Sequence, residues 1–352
     1  MKNRMLAPLK KVYLSLVKYN EEKLPFLIYK SRTLVSLYYF LLNKSFRREI
    51  YAVMSGKVKH LKDAQTNKGN YFLLVRNTHR LEKGLLMRPR KPVFGKAYLE
   101  ETVRNFQAIW NRDEMDRNPQ MKWFYDVLTE YFENVGSDEY VDTLKLSFFE
   151  FVRRSDCTFG DKSVPYHRNI ANFSNIEYGE FYKLTKQRRS VRWFLDKKVP
   201  RELIDKAVLA ALQSPSACNR QPFEFRIFDE ESLVKEIVDL PMGTTGYGHS
   251  IPIIAVLVGN LDAYYSERDR HVIYIDAALA AMSFMFALET LNLGSCAINW
   301  PDIEHRERKM QKKLRLNSHQ RPIMCIGLGY PDPEGMVAFS EKRDINIVRS
   351  YN

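Results

Sequence analysis

Between residues 272 and 291 the chain carries a helix-length run that is apolar on nearly every face, including Ala277, Ala278, Ala280, Ala281, Met282, Phe284, Met285, Phe286 and Leu288. A helix of that kind has no face of its own to give to water, so the fold must be built around it and bury it on most sides. The flanking sequence supplies elements that can do this. Residues 223–228 and 251–258 read as strands, the second a continuous apolar run of the sort found in the middle of a sheet. Residues 294–299 and 322–328 read as two more, and helical spacing over 200–213 and about 231–239 alternates with them. The 200–213 helix has Pro200 near its first turn, Glu202 early, and Leu203, Ile204, Ala207, Val208, Ala211 and Leu212 along one face.

Upstream the pattern changes. Residues 71–86, 96–110 and 121–135 have helix-like apolar spacing, divided by punctuation such as Arg88-Pro89-Arg90-Lys91-Pro92, and 155–180 reads as an irregular connection. The expected organisation is a basic, aromatic-rich helical segment over 1–66, a mostly helical extension and connection over 67–180, and a helix-and-strand domain over 181–352. A chain of 352 residues, 45% of them apolar, is long enough for two compact units. Cys157, Cys218, Cys296 and Cys325 form no CxxC pair and no metal-ligand spacing, which points away from a disulfide framework or a zinc site and toward a reducing cytoplasm. No secretory signal is expected, and Lys30 and Arg32 interrupt the most hydrophobic early stretch.

Charge is unevenly placed. Of a formal net +13, residues 1–66 hold 14 Lys/Arg against 4 Asp/Glu, interleaved with residues such as Tyr13, Leu16, Phe26, Leu37 and Phe40. Such a segment suits peripheral contact with an anionic membrane at its inner face, or a helical prefix packed on the rest of the chain with its lysines in water. Nucleic acid is not expected as a partner, because no nucleic-acid-binding motif accompanies the charge.

Two polar segments flank the 200–213 helix. Arg188-Arg189-Ser190-Val191-Arg192-Trp193-Phe194 brings three guanidinium groups and a hydroxyl into five residues, which suits a phosphate and an electron-rich ring better than a core. Ser214-Pro215-Ser216-Ala217-Cys218-Asn219-Arg220-Gln221-Pro222-Phe223 follows as a polar loop. Further on stand Asp276-Ala277-Ala278-Leu279-Ala280, Leu293-Gly294-Ser295-Cys296-Ala297-Ile298 and Gly327-Leu328-Gly329-Tyr330-Pro331. In this order the five segments resemble the nitroreductase family of FMN-dependent oxidoreductases, and the resemblance covers roughly residues 181–348.

The resemblance implies an α+β fold, a central mixed sheet flanked by helices, assembled as a homodimer with the 272–291 helix in its interface. It implies FMN as cofactor and NAD(P)H as electron donor, with hydride passing through flavin N5 to an electrophilic organic substrate in ping-pong order. On that pattern Arg188, Arg189 and Ser190 would meet the FMN phosphate and ribityl chain, and Arg192 the N1/C2 edge of the ring. Pro215, Ser216, Ala217 and Asn219 would reach the flavin of the partner subunit. Ile298 and Asn299 would lie where a backbone amide meets N5, with Trp300 replacing a residue that is often small. Arg343 and Lys342 would help close the phosphate site, with Glu341 beside them. No metal is implied. Tyr247, His249, Tyr264, Tyr265, Arg268 and His271 are candidate pocket residues, although such residues more often serve packing or the surface.

A dehydrogenase or dehalogenase acting on a specific biosynthetic intermediate is a variant of the same reading. The alternative is a non-enzymatic membrane-surface or assembly protein that keeps the flavin fold. The run His79-Arg80-Leu81-Glu82-Lys83-Gly84-Leu85 resembles one that precedes the flavin domain in some long nitroreductase-like proteins encoded among polysaccharide-biosynthesis functions. His79 and Glu82 lie one helical turn apart and could simply pair.

Overall fold

The computed structural model describes residues 2–66, 68–115, 117–153 and 161–352; Cys157 and Gly160 lie outside the described residues. The chain begins with α1 (Lys2–Lys18), α2 (Leu24–Ile28) and α3 (Arg32–Leu37), followed by the long α4 (Arg47–Gln65). A helical layer follows, α5 (Tyr71–Leu85), α6 (Lys96–Ile109), α7 (Pro119–Asn134) and α8 (Glu139–Arg153). After α9 (Tyr178–Gln187) come α10 (Arg201–Ala211), β1 (Phe223–Phe228), α11 (Glu231–Val238), β2 (Ile253–Asn260) and α12 (Val272–Thr290). The chain closes with β3 (Gly294–Asn299), α13 (Glu304–Leu314), β4 (Gln320–Gly329) and the short α14 (Ile345–Val348).

The strands form one sheet in the order β1-β2-β4-β3, with every ladder antiparallel, so the architecture is α+β. Parallel pairing, expected from a mixed sheet, is confined among the described residues to the isolated bridge between Ser190 and Ser295. β2 is buried at all eight positions because its two-residue period feeds two cores. Ile253, Ala255 and Leu257 pack with α10 and α12, while Ile254, Val256 and Val258 pack with α11 and α13.

α12 lays Ala277, Ala280, Phe284 and Leu288 into the first of these cores. Fully burying a side chain the size of Phe284 contributes roughly 1.5–3 kcal/mol. The burial is one-sided: Ile275 and Leu279 remain 56% and 43% exposed. The stretch Glu267–Thr290 is long and apolar enough to cross a membrane by length and composition, but its role here is that of a core helix.

The helical layer has a core of its own, built from Leu74, Leu81, Leu99, Phe106, Phe124, Tyr131 and Phe148 among others. Its helices start where local chemistry allows. The Asn70 side chain accepts from the Leu73 amide at 3.0 Å, and Asn118 caps α7 ahead of Pro119. His79 meets Glu82 at 3.2 Å, and Trp123 Nε1 donates to the same carboxylate, so this pair is part of the packing of the layer.

The basic segment divides into two parts. α4 docks on the 3₁₀ turn Leu261–Ala263: Ala52 packs with Leu261, Ala263, Tyr264 and Ile273, and His60 Nδ1 donates to the Asp262 carbonyl at 2.8 Å. Arg48 grips Glu304 with two bonds, at 2.7 and 2.8 Å. Over residues 10–46, by contrast, Tyr38 alone is buried among the described side chains, and Phe26 and Phe40 are exposed. The packing expectation therefore holds for α4 and not for the helices before it.

Gly56 is what lets α4 sit so close. A Cβ there would stand 2.6 Å from the Leu261 carbonyl carbon and 2.7 Å from its oxygen, both backbone atoms that cannot swing aside. Glycine in a helix interior costs about 1 kcal/mol against alanine, an expense offset here by the close approach. Gly56→Leu should lower stability by roughly 1–3 kcal/mol through overpacking. Hydrogen exchange should speed up across α4 while the α5–α8 amides keep their protection; unchanged exchange in α4 would contradict the docking.

Candidate functional site

The polar run after α9 crosses the end of the sheet. Ser190 bridges Ser295 on the edge strand β3, and the Val191 amide donates to the Ser295 carbonyl at 3.0 Å. Phe194 bridges Pro331, and the Leu195 amide donates to the Tyr330 carbonyl at 2.9 Å. Gly294 permits the crossing, since a Cβ would fall 2.8 Å from the Val191 side chain. Ser190 and Arg192 are thereby fixed against β3 by backbone bonds.

Two buried polar atoms in this region have no partner within the protein, Arg188 Nε and Ser295 Oγ. Buried donors are normally satisfied, so these orphans beside a run of arginines leave hydrogen-bonding capacity that a polar ligand could use. Glu289, near the end of α12, accepts from Gln187 Nε2 at 3.2 Å, and burial pushes its carboxyl up while the Arg188 charge opposes the shift. Arg192 lies over the Tyr247 ring at 5.6 Å. Burial pushes the Tyr247 phenol up to about 12.

β3 gives the site its length. From Ser295 to Asn299 the strand advances four residues, about 13 Å. Asn299 is exposed at its far end, whereas the Ile298 side chain is buried in the α11/α13 core, leaving only its backbone on the strand edge. Trp300 is likewise turned inward. Its indole donates to the buried Glu307 at 2.7 Å, and Glu307 in turn accepts from Arg321 at 3.1 Å. The large residue at position 300 thus anchors α13 to the sheet and does not intrude on the open face.

The second polar segment lies elsewhere. The Ala217 amide donates to Asp276 Oδ2 at 3.0 Å, and the Ser216 hydroxyl accepts from the Gln221 amide at 3.1 Å. Cys218, Asn219 and Gln221 all adopt left-handed backbone, with φ of 54°, 55° and 48°. Such conformations cost of order 1–3 kcal/mol each and persist only where surroundings enforce them. Asp276 and Glu289 are thirteen residues apart on one straight helix, which separates the loop from the Arg188 turn by about 20 Å. Within one chain, Pro215, Ser216, Ala217 and Asn219 therefore do not meet Arg188, Arg189, Ser190 and Arg192.

Lys342 and Arg343 form no hydrogen bond or ion pair with the turn among the described residues. Both are exposed on the carboxy-terminal tail, where Lys342 Nζ donates to the Ser340 carbonyl at 2.7 Å. Of the candidate pocket residues, Tyr247 and Tyr264 are buried, His249 meets Trp193 edge-on at 5.8 Å, and Arg268 pairs with Asp269 at 3.6 Å. Ser295 and Glu289 escaped sequence reasoning as site residues; only their neighbours carried charge patterns strong enough to notice.

A cavity of about 1120 Å³ lies away from this chemistry, between the first helices and α13. Its charged walls neutralise one another: Arg48 and Arg308 hold the Glu304 carboxyl down to about 2, and Arg321 pairs with Asp302 and Glu307. Arg321 Nε and Nη1 are buried in its wall without partners, but Arg48, Arg308 and Arg321 there are paired with acids, whereas Arg188, Arg189 and Arg192 form no ion pair among the described residues, so the strand-edge turn is the better candidate for an anionic ligand.

Comparison with known proteins bears on the same residues. The nitroreductase family profile matches residues 185–245 and 248–330. A Methanothermobacter thermautotrophicus protein assigned as an NADH dehydrogenase/NAD(P)H nitroreductase is 29% identical over 147 residues, covering 42% of this chain and 74% of that protein. An iodotyrosine deiodinase of Thermotoga neapolitana is 27% identical over 175 residues, 43% of this chain and 88% of its own length. A solved FMN-dependent nitroreductase of Clostridium difficile aligns with 24% identity and a TM-score of 0.42, over 48% of this chain and 98% of its own. The matched segments contain the strand-edge turn, the 214–221 loop, α12 and β3, so the similarity of the carboxy-terminal half of this chain to the nitroreductase family falls on the elements that build the candidate site.

Proposed function

We propose that the chain is an FMN-dependent oxidoreductase that draws electrons from NAD(P)H and passes them to an electrophilic organic substrate. The observation that carries this reading is the orphaned pair Arg188 Nε and Ser295 Oγ on the turn that Ser190 pins to β3. The residues fit the cofactor: three guanidinium groups and two hydroxyls suit a phosphate and a ribityl chain, and the strand edge beyond is about as long as the rest of such a molecule. When bound, FMN would supply two-electron chemistry between the nicotinamide donor and the substrate, in ping-pong order.

The chain's own residues would bind and orient. Arg188 and Ser190 would hold the phosphate and ribityl chain, with Arg189 alongside. Arg192, fixed by the backbone bonds of its neighbours, would place a permanent positive charge beside the ring edge, where added electron density is stabilised. Ile298 and Asn299 would contribute backbone groups at the strand edge, and Lys342 and Arg343 would complete the phosphate site. No side-chain nucleophile is required. The deiodinase relatives favour reductive dehalogenation as one form of the same electron transfer.

The length of α12 supports a homodimer. Since the 214–221 loop and the Arg188 turn sit about 20 Å apart in one chain, two chains related by a twofold axis are needed to bring loop and turn to one flavin. The exposed Ile275 and Leu279 on α12, with Leu209 on α10, would provide the apolar contact. Residues 10–46 support a further reading, peripheral contact with an anionic membrane from the cytoplasmic side. Lys10, Lys11, Lys18, Lys23, Lys30 and Arg32 accompany exposed Phe26, Leu27, Phe40 and Leu41.

Arg188→Ala should strip FMN during gel filtration while the fold, followed by circular dichroism, stays intact; equal retention in wild type and variant would remove Arg188 from the site. Light scattering of the flavin-loaded protein should give twice the mass of one chain, and a monomer holding one FMN per chain would overturn the shared site. In flotation with anionic vesicles, the full chain should float at low salt and lose most binding as ionic strength shortens the Debye length to about 8 Å. The embedded aromatic residues should leave a salt-resistant remainder. Failure to float at low salt would assign residues 10–46 to packing alone.

A further inference from the structure

The 214–221 loop has a neighbour outside the family-matched region. α5, from the helical layer and carrying Arg76 and Arg80, packs against the 3₁₀ turn Ala217–Asn219, with Arg80 in electrostatic reach of Cys218 and Arg76 of Arg220. Arg220, in the loop itself, is held from the other side. We propose that Arg76, Arg80 and Arg220 form a receptor for a doubly charged oxyanion, a phosphoryl group above all, carried by the substrate. The link to the substrate rests on the proposed flavin function; the anion site stands on its own geometry.

Aromatic faces set two of the three guanidinium planes. Arg80 lies over the Tyr98 ring at 3.5 Å, and Arg220 over the Tyr264 ring at 4.6 Å. Stacking occupies the face of a guanidinium and leaves its in-plane N–H fork free, which is the edge that grips an oxyanion. No acid closes that edge among the described residues, although the Tyr264 hydroxyl is within hydrogen-bonding reach of Arg220. Arg80 Nη1 reaches Asn77 Oδ1 only at a long 3.3 Å, and Arg220 Nε is buried without a partner.

Nearby carboxylates offset part of the cluster's charge without closing an ion pair with it. Glu101 lies near Arg80 but receives Asn77 Nδ2 at 3.4 Å, Asp269 pairs with Arg268, and Asp276 is taken by the Ala217 amide and the Tyr264 hydroxyl. No ion pair joins Arg76, Arg80 or Arg220 to an acid among the described residues. Burial depresses both Arg80 and Arg220, and the Arg76 charge presses on each of them and on His60 as well. Three like charges gathered at a packed junction are mutually repulsive, and a bound dianion is the counterpart that relieves them. One carboxylate would leave an excess of positive charge, whereas a phosphoryl dianion offers charge and acceptor oxygens for more than one fork.

The position gives the site its meaning. Asn219 is the residue proposed to approach the flavin of the partner subunit, and Arg220 is next to it. An anionic group held there would tether a substrate whose reducible end extends toward the ring. The helical extension would thus select substrates by charge, a task for which the matched region alone supplies only Arg220.

The test is calorimetric titration of inorganic phosphate into the full-length protein saturated with FMN, with acetate titrated in parallel. Saturation with FMN fills the Arg188 turn and keeps it from competing. Saturable phosphate binding is expected, weakened at least tenfold in Arg80→Gln and in Arg220→Gln, with acetate at least tenfold weaker than phosphate. Arg76→Gln serves as a third variant should either of the others fail to fold. Absence of saturable phosphate binding, or equal affinity in the folded variants, would overturn the receptor; acetate binding as tightly as phosphate would overturn its assignment to a dianion. Failure of the flavin reading shows separately, as wild-type protein that retains no FMN, and the titration is then run in an Arg188→Ala background.

Discussion

Asp276 and Glu289 stand near opposite ends of α12, and burial pushes both carboxyls toward the neutral form. Each is kept in place by a polar segment that follows another helix: the Ala217 amide holds Asp276, and Gln187 holds Glu289. The apolar middle of α12 is packed on the sheet by Ala277, Ala280 and Phe284. A rigid rod with a polar attachment at each end fixes the spacing between the 214–221 loop and the Arg188 turn. That spacing dictates which residues can share a site within one chain and which cannot.

The sheet carries this constraint to β3. Because β2 is buried on both faces, its neighbours have no freedom to slide: a one-residue shift would move every side chain to the opposite core. β3 is held at the edge through β4, and its far end is anchored by Trp300, Glu307 and Arg321. Removing one partner from a buried charged set of this kind typically costs about 3–5 kcal/mol, so the strand edge beside Ser190 is a stiff platform.

The strands and the amphipathic helices were legible because periodicity survives in single sequences. The 223–228 and 294–299 strands stand as read, and 251–258 lies two residues further on, as Ile253–Asn260. α13 escaped, and α4, although within the helical 1–66 segment, gave no sign of where it docks. α13 is nearly all charged and is held by Arg48, Glu307 and Arg321 more than by an apolar stripe, and α4 docks through a glycine. Arg188, Ser190 and Arg192 could be found from composition, but Ser295 and Glu289 become meaningful only through the strand pairing and helix packing that bury them. The role of Arg76 and Arg80 had no local signal at all, because it depends on a helix meeting a loop about 140 residues downstream.

The left-handed backbone at Cys218, Asn219 and Gln221 has a further consequence. Neither cysteine nor glutamine favours that conformation, so the loop is a stressed arch, and α5 and Asp276 are its abutments. An arch under load keeps its shape only while both abutments stand. The helical layer is therefore part of what gives the loop its form, and the boundary between extension and family domain, clear along the sequence, dissolves at this keystone in space.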